Sequence, residues 1–260
     1  MSEHTILRKS RNAFSSFLHV IMKLLLGVGS ILITLVSGSP IIGIILVFMG
    51  KWRIFAVRPR FWSLNIRSNL VDIIVGTSFV LLAYICGTDF NIIHIVLATT
   101  YSIWLLWVKS QTSENWILAQ ALICIFLGSA ASIYIASTAD SIFLCLAMFI
   151  VGYGASRHVF AQSSAYSIPI ISFTSGLLAA EMAWLCSRWN IIYTFSSLDI
   201  MIPQFSILIT ILSFAFACTL RSLVRNDGKF NSKEILPPVL FSLITASVII
   251  ILFSSPIFNI

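Results

Sequence analysis

The chain has 260 residues, 58% of them hydrophobic and only 10% charged, with a mean hydropathy of +1.00. A soluble domain is ordinarily about one quarter charged, so this composition excludes a water-facing globule. The net charge of +7 does not point to nucleic acid either, because the basic residues flank hydrophobic runs and build no basic domain of their own.

Crossing a bilayer takes about 17 to 20 apolar residues as a helix, because backbone amides find no water in hydrocarbon. On that rule the sequence predicts an all-α, polytopic transmembrane helix bundle of about nine spans, forming a single domain over 1–260. Residues 1–16 are a short basic N-terminus carrying Arg8, Lys9 and Arg11, ahead of a first span at Phe17–Leu35. Lys23 interrupts that run and Val36-Ser37-Gly38 is a poor cleavage site, so the segment reads as an anchor and not as a removed leader. A second span is expected at Ile41–Val57. The uncharged stretch between Pro40 and Lys51 covers only about 15 Å of helix, so a full crossing needs Lys51 and Arg53 to snorkel. The alternative is seven spans plus a re-entrant hairpin with its tip at Ser37-Gly38-Ser39-Pro40.

Residues 51–69 follow as a basic, aromatic interfacial loop, KWRIFAVRPRFWSLNIR at its heart. Lys51, Arg53, Arg58, Arg60 and Arg67 alternate with Phe55, Phe61 and Trp62, a mixture suited to anionic lipid headgroups. It serves either as a topology anchor or as a specific site for a phosphate-bearing lipid. Lys51 and Arg58-Pro59 also match the spacing of the first signature of type 2 phosphatidic acid phosphatases. No Pro-Ser-Gly-His follows, however, and Ser163 stands where the last signature needs histidine, so that chemistry lacks its nucleophile.

The remaining spans are expected at Leu70–Cys86, Ile92–Trp107, Trp116–Ala136, Ser141–Ser156, Ile168–Cys186, Pro203–Leu220 and Pro237–Phe253, with a basic loop at 221–236. Placing the N-terminus inside puts Arg8, Lys9, Arg11, Lys51, Arg53, Arg58, Arg60, Arg67, Lys109, Arg157, Arg221, Arg225, Lys229 and Lys233 on the cytoplasmic side. Only Arg188 falls outside, a strong positive-inside bias that leaves the C-terminus outside. Trp52, Trp62, Trp104, Trp107 and Trp116 fall at the inner boundary, and Trp184 and Trp189 at the outer one, as interfacial belts. Pro40, Pro169, Pro203 and Pro237 fall at span starts. Gly128/Ser132/Ala136 and Gly176/Ala180 offer small faces where helices can approach closely.

Ionisable groups inside spans are expensive, and are therefore the functional candidates. Glu181 sits in LLAAEMAWL, with Arg188 seven residues on along the same face and His94 near the same boundary. They form either a structural pair or a binding or proton-handling site. Asp72 opens the third span, where exposed amides favour a carboxylate; Lys23, Gln120 and Tyr153 lie at similar depth, and the four can line a polar cavity open to the cytoplasm. No charge lies near the midplane, which disfavours ion-coupled carriers. The five cysteines are scattered singly through apolar runs, and no metal set, nucleotide fingerprint or cofactor motif is present.

The expected function is a small-solute or lipid permease, or a membrane component of a larger assembly. Its expected partners are anionic headgroups on the cytoplasmic face, together with membrane-protein partners or a second copy of the chain. The alternative is an enzyme on a lipid-linked substrate at the cytoplasmic interface, with Arg58, Arg60 and Arg67 holding phosphate and Asp72 or His158 moving a proton.

The stretches KWRIFAVRPRFWSLNIRSNLVDIIVG and ASRHVF…GLLAAEMAWL resemble an uncharacterised family of multi-pass membrane proteins from small-genome candidate-phylum bacteria. The resemblance covers about the middle two thirds of the chain. It implies a bacterial plasma membrane and transfers no activity or site.

Overall fold

The computed structural model describes residues 3–136, 140–161, 168–187, 191–195, 200–226 and 228–253. The helices are α1 (Glu3–Ser37), α2 (Pro40–Met49), α3 (Trp52–Phe55), α4 (Trp62–Ser68), α5 (Leu70–Ile85), α6 (Ile92–Leu106), α7 (Glu114–Ala136), α8 (Ser141–Phe160), α9 (Ile168–Cys186), α10 (Gln204–Arg225) and α11 (Ser232–Phe253). The expected spans are largely helical, except that Ile41–Val57 is broken at Gly50-Lys51 and Pro203 ends a strand. Among the described residues, seven segments are long and apolar enough to cross a bilayer, Val20–Ser37, Ile92–Ser110 and the whole of α7 to α11, and an eighth is reached if Pro59–Ser68 and Leu70–Ile85 make one bent span. The protein is a polytopic transmembrane helix bundle.

Nine full spans are not reached, because α2 and α5 are short. Ten residues of α2 cover about 15 Å. A left-handed turn at Gly38 (φ 61°) reverses the chain, and Ser39 caps α2 by accepting from the Ile41 amide at 3.4 Å. α2 then folds back along α1: a side chain at Gly43 would meet Thr34 and the Ser30 carbonyl, and one at Gly50 would meet Leu26. The hairpin tip therefore lies where the sequence placed it, with a long arm and a short arm.

α5 is the axis of the molecule. It packs on α1, α2, α6, α7 and α8, and ten of its sixteen residues are buried. Its N-terminal neighbour α4 departs at 69°. The break falls at Asn69, whose side-chain amide donates to the Asn65 carbonyl at 2.9 Å and competes with the helical ladder. Residues 51–69 are thus not an open loop, but two short helices joined by a 3-10 turn at Pro59–Phe61.

Small residues set the closest seam, between α8 and α9. A Cβ at Gly152 would lie 2.7 Å from Ala179 Cβ, and one at Gly176 would lie 2.9 Å from the Phe149 carbonyl. α7 packs on α5, α8 and α10, and α11 leans chiefly on α10.

Four boundaries differ from expectation. α1 already runs from Glu3, so the N-terminus is not a separate tail. The 221–236 loop shrinks because α10 continues through Arg225 and α11 begins at Ser232. Pro237 and Pro238 consequently lie inside α11, where neither can donate to the ladder. Finally, residues between the spans expected at Ile168–Cys186 and Pro203–Leu220, with Pro203 itself, form an antiparallel ribbon, β1 (Ile192–Phe195) and β2 (Ile200–Pro203), with Ile192 opposite Pro203. Its β-branched and aromatic run Ile192-Tyr193-Thr194-Phe195 was the available signal.

Candidate functional site

Asp72 is the third residue of α5, where free amides and the helix dipole favour a carboxylate. Oδ1 accepts a hydrogen bond from Trp104 Nε1 at 3.0 Å. Oδ2 is ion-paired with two ammonium groups, Lys51 after α2 and Lys109 in the 3-10 turn Val108–Ser110 after α6. Lys51 is 7% exposed and Lys109 is open at 38%. The cluster ties α2, α5 and α6 together at one end of the bundle, with two cations around one anion.

Two expectations change here. Lys51 does not reach out to headgroups with Arg53, Arg58, Arg60 and Arg67, because a buried carboxylate lies within its reach. Trp104 is not an interfacial belt residue: it is 3% exposed, and its indole N–H finds its acceptor in Asp72. The four arginines are all exposed. Arg60 lies over the Phe61 ring at 4.7 Å, and the Trp62 indole closes the segment onto the Val57 carbonyl at 2.9 Å. None of the four is ion-paired with Asp72 among the described residues.

Gln120 lies beside the cluster. Its Nε2 donates to the Val108 and Gln111 carbonyls at 2.7 and 2.9 Å, holding the turn that carries Lys109. With its nitrogen committed, Oε1 is the acceptor for His158 Nε2 at 2.7 Å. The same end is tied further by the Arg225–Glu114 ion pair and by Arg221, which donates to the Glu114 carbonyl at 2.7 Å. The Arg225–Glu114 pair is exposed and contributes little stability.

Among the described residues, no hydrogen bond or ion pair joins Lys23, Asp72, Gln120 and Tyr153 to one another. Lys23 is exposed on α1 and makes no ion pair with Asp72 among the described residues. Tyr153 stacks on Phe149, its own neighbour one turn back, with centroids 6.2 Å apart.

His94 meets backbone groups between α5 and α6 through both ring nitrogens. It is 1% exposed; Nδ1 accepts from the Asn91 amide at 3.2 Å, and Nε2 lies 3.1 Å from the Ala83 carbonyl. The Nε2–H tautomer satisfies both contacts and joins the end of α5 to the start of α6. Replacing His94 by alanine is expected to cost about 2 kcal/mol, two buried hydrogen bonds at about 1 each. Thermal unfolding checks this, and faster hydrogen exchange at Asn91 would locate the loss. Glu181 is exposed on α9 beside Leu177 and Leu185. It has no ion pair among the described residues, and Arg188, its expected partner, lies outside them.

A separate open space lies elsewhere. A cavity of about 300 Å³ lies between α7, α8, α9 and α10. Its walls are aliphatic and aromatic, apart from Ser156, Ser175 and Ser213. Ser156 and Ser175 satisfy each other at 3.0 Å, and Ser175 donates to the Ile171 carbonyl at 2.7 Å. α9 and α10 scarcely touch, and two lining residues on them, Leu178 at 46% and Phe216 at 40%, are exposed. The cavity therefore opens sideways between these helices. None of the polar candidates from the sequence lines it, because apolar lining residues look like any other span residues before the helices are placed.

Compared with protein-family models, curated proteins and solved structures, the chain matches none.

Proposed function

We propose that the protein is a lipid permease of the cell (inner) membrane: it takes a membrane lipid by its hydrocarbon tail and moves it between leaflets. The N-terminus and the basic end face the cytoplasm in this reading, following the distribution of arginine and lysine. The observation that carries it is the sideways opening of an apolar cavity between α9 and α10. A pocket with such walls suits an acyl chain and offers a polar solute almost nothing to bind. The exposed arginines of α3 and α4 supply an anionic-headgroup surface at the same membrane face.

The test is transbilayer movement of a headgroup-labelled lipid in reconstituted vesicles, together with native mass spectrometry of lipid retained by the purified protein. Ser213→Trp fills the cavity from α10 and is expected to slow movement roughly tenfold, the equivalent of an overpacking cost of about 1.4 kcal/mol. Vesicles that move no lipid, from a protein that retains none, would remove this reading. The assembly-subunit reading draws on Glu181, an exposed carboxylate on an apolar helix face that a partner's cation would complement.

A further inference from the structure

The charge count at Asp72 does not close. Two ammonium groups share one carboxylate oxygen, and the other oxygen is taken by Trp104. Each ammonium has three N–H donors, and neither Lys51 nor Lys109 has a second acceptor among the described residues. Lys51 is more than nine-tenths buried. Two lysines from two parts of the chain thus converge on one carboxylate, where an unbalanced cation is costly.

We propose that Lys51 and Lys109 form a binding site for a phosphate group, with Asp72 holding the two ammoniums in position. A phosphate oxygen accepts from several ammonium donors at once, and its charge offsets the surplus that Asp72 leaves. Lys109, the more exposed member, forms the mouth at the basic end; Lys51 forms the floor. The phosphate belongs to a lipid headgroup or is free in solution, and either meets the same donors. The site is built at the ends of α2, α5 and α6, apart from the α7–α10 cavity, and it stands whether or not that cavity carries a lipid tail.

The full chain in phosphatidylcholine nanodiscs tests this. Thermal unfolding is followed with phosphatidic acid added to the nanodisc, with oleate as an anionic lipid lacking phosphate, and with inorganic phosphate against chloride at equal ionic strength. Phosphatidic acid is expected to raise Tm more than oleate does; a rise with inorganic phosphate in the plain nanodisc identifies a soluble ligand instead. Lys109→Gln, at the half-exposed mouth, is expected to weaken the response about tenfold in ligand concentration, the loss of one charged hydrogen bond. If wild type responds to none of the additions, or Lys109→Gln responds as wild type does, the surplus is met by loss of a proton from one lysine and the site does not bind phosphate.

Discussion

Asp72→Ala is expected to be the most damaging single substitution in the protein, lowering stability by about 3–5 kcal/mol, the range for removing one partner of a buried ion pair. The variant leaves Lys51 7% exposed and without its carboxylate. It also strips the buried Trp104 indole of its acceptor. Three elements, the α2–α3 turn, α5 and the turn after α6, then lose the group that joins them. Unfolding in detergent, followed by circular dichroism, measures the loss. Lys51→Met combined with Asp72→Leu should recover much of it, because an apolar pair of similar volume avoids the desolvation that the ion pair had to overcome. A single variant that melts within 1 °C of wild type would show that the cluster does not hold these elements together.

Gly152→Leu is the second large effect. The Cβ of any residue at this position would lie 2.8 Å from the Ser175 carbonyl and 2.7 Å from Ala179 Cβ, so the obstruction includes backbone. Relief requires α8 and α9 to separate along their closest seam, and overpacking of this kind costs about 3 kcal/mol. Gly29→Ala provides the contrast. Its nearest neighbour would be Leu46 at an ordinary 3.8 Å, and alanine is preferred over glycine within a helix by about 0.5–1 kcal/mol. Opposite shifts in melting temperature are therefore expected from glycines in two helices of the same bundle. Equal shifts would mean that the seam yields more easily than its backbone contact implies.

The contrast between those glycines bears on how a membrane protein is read from its sequence. Gly152 and Gly29 both sit in apolar runs, and only the neighbouring helix distinguishes them. The i, i+4 pairing of Gly176 with Ala180 marked one side of the α8–α9 seam, because small side chains are needed wherever backbones approach. The residue opposite carries no such mark, since which helix faces α9 is a matter of packing.

The polar residues divide in the same way. Asp72 stood out because a carboxylate near hydrocarbon must have a reason to be there. Its partners did not: Trp104 and Lys109 lie 32 and 37 residues away and read naturally as boundary residues. His94 stood out equally, and the structure uses it as a cap between α5 and α6. The cost of burying a polar group singles out the residue, and says nothing of whether a ligand, a backbone carbonyl or another side chain meets that cost.

The sequence by itself determined that this chain is a helical, multi-spanning membrane protein with its cations gathered at helix ends, since hydrocarbon admits only helices in such runs and charge remains where water is near. It determined the turn at Gly38 too, because local backbone geometry demanded it. Only the tertiary structure decided that α2 is a short arm, that α5 is the enclosed axis, that Lys51 turns inward to Asp72, and that an apolar cavity opens between α9 and α10. Lipid-facing and protein-facing apolar residues obey the same transfer energetics, so packing alone separates them.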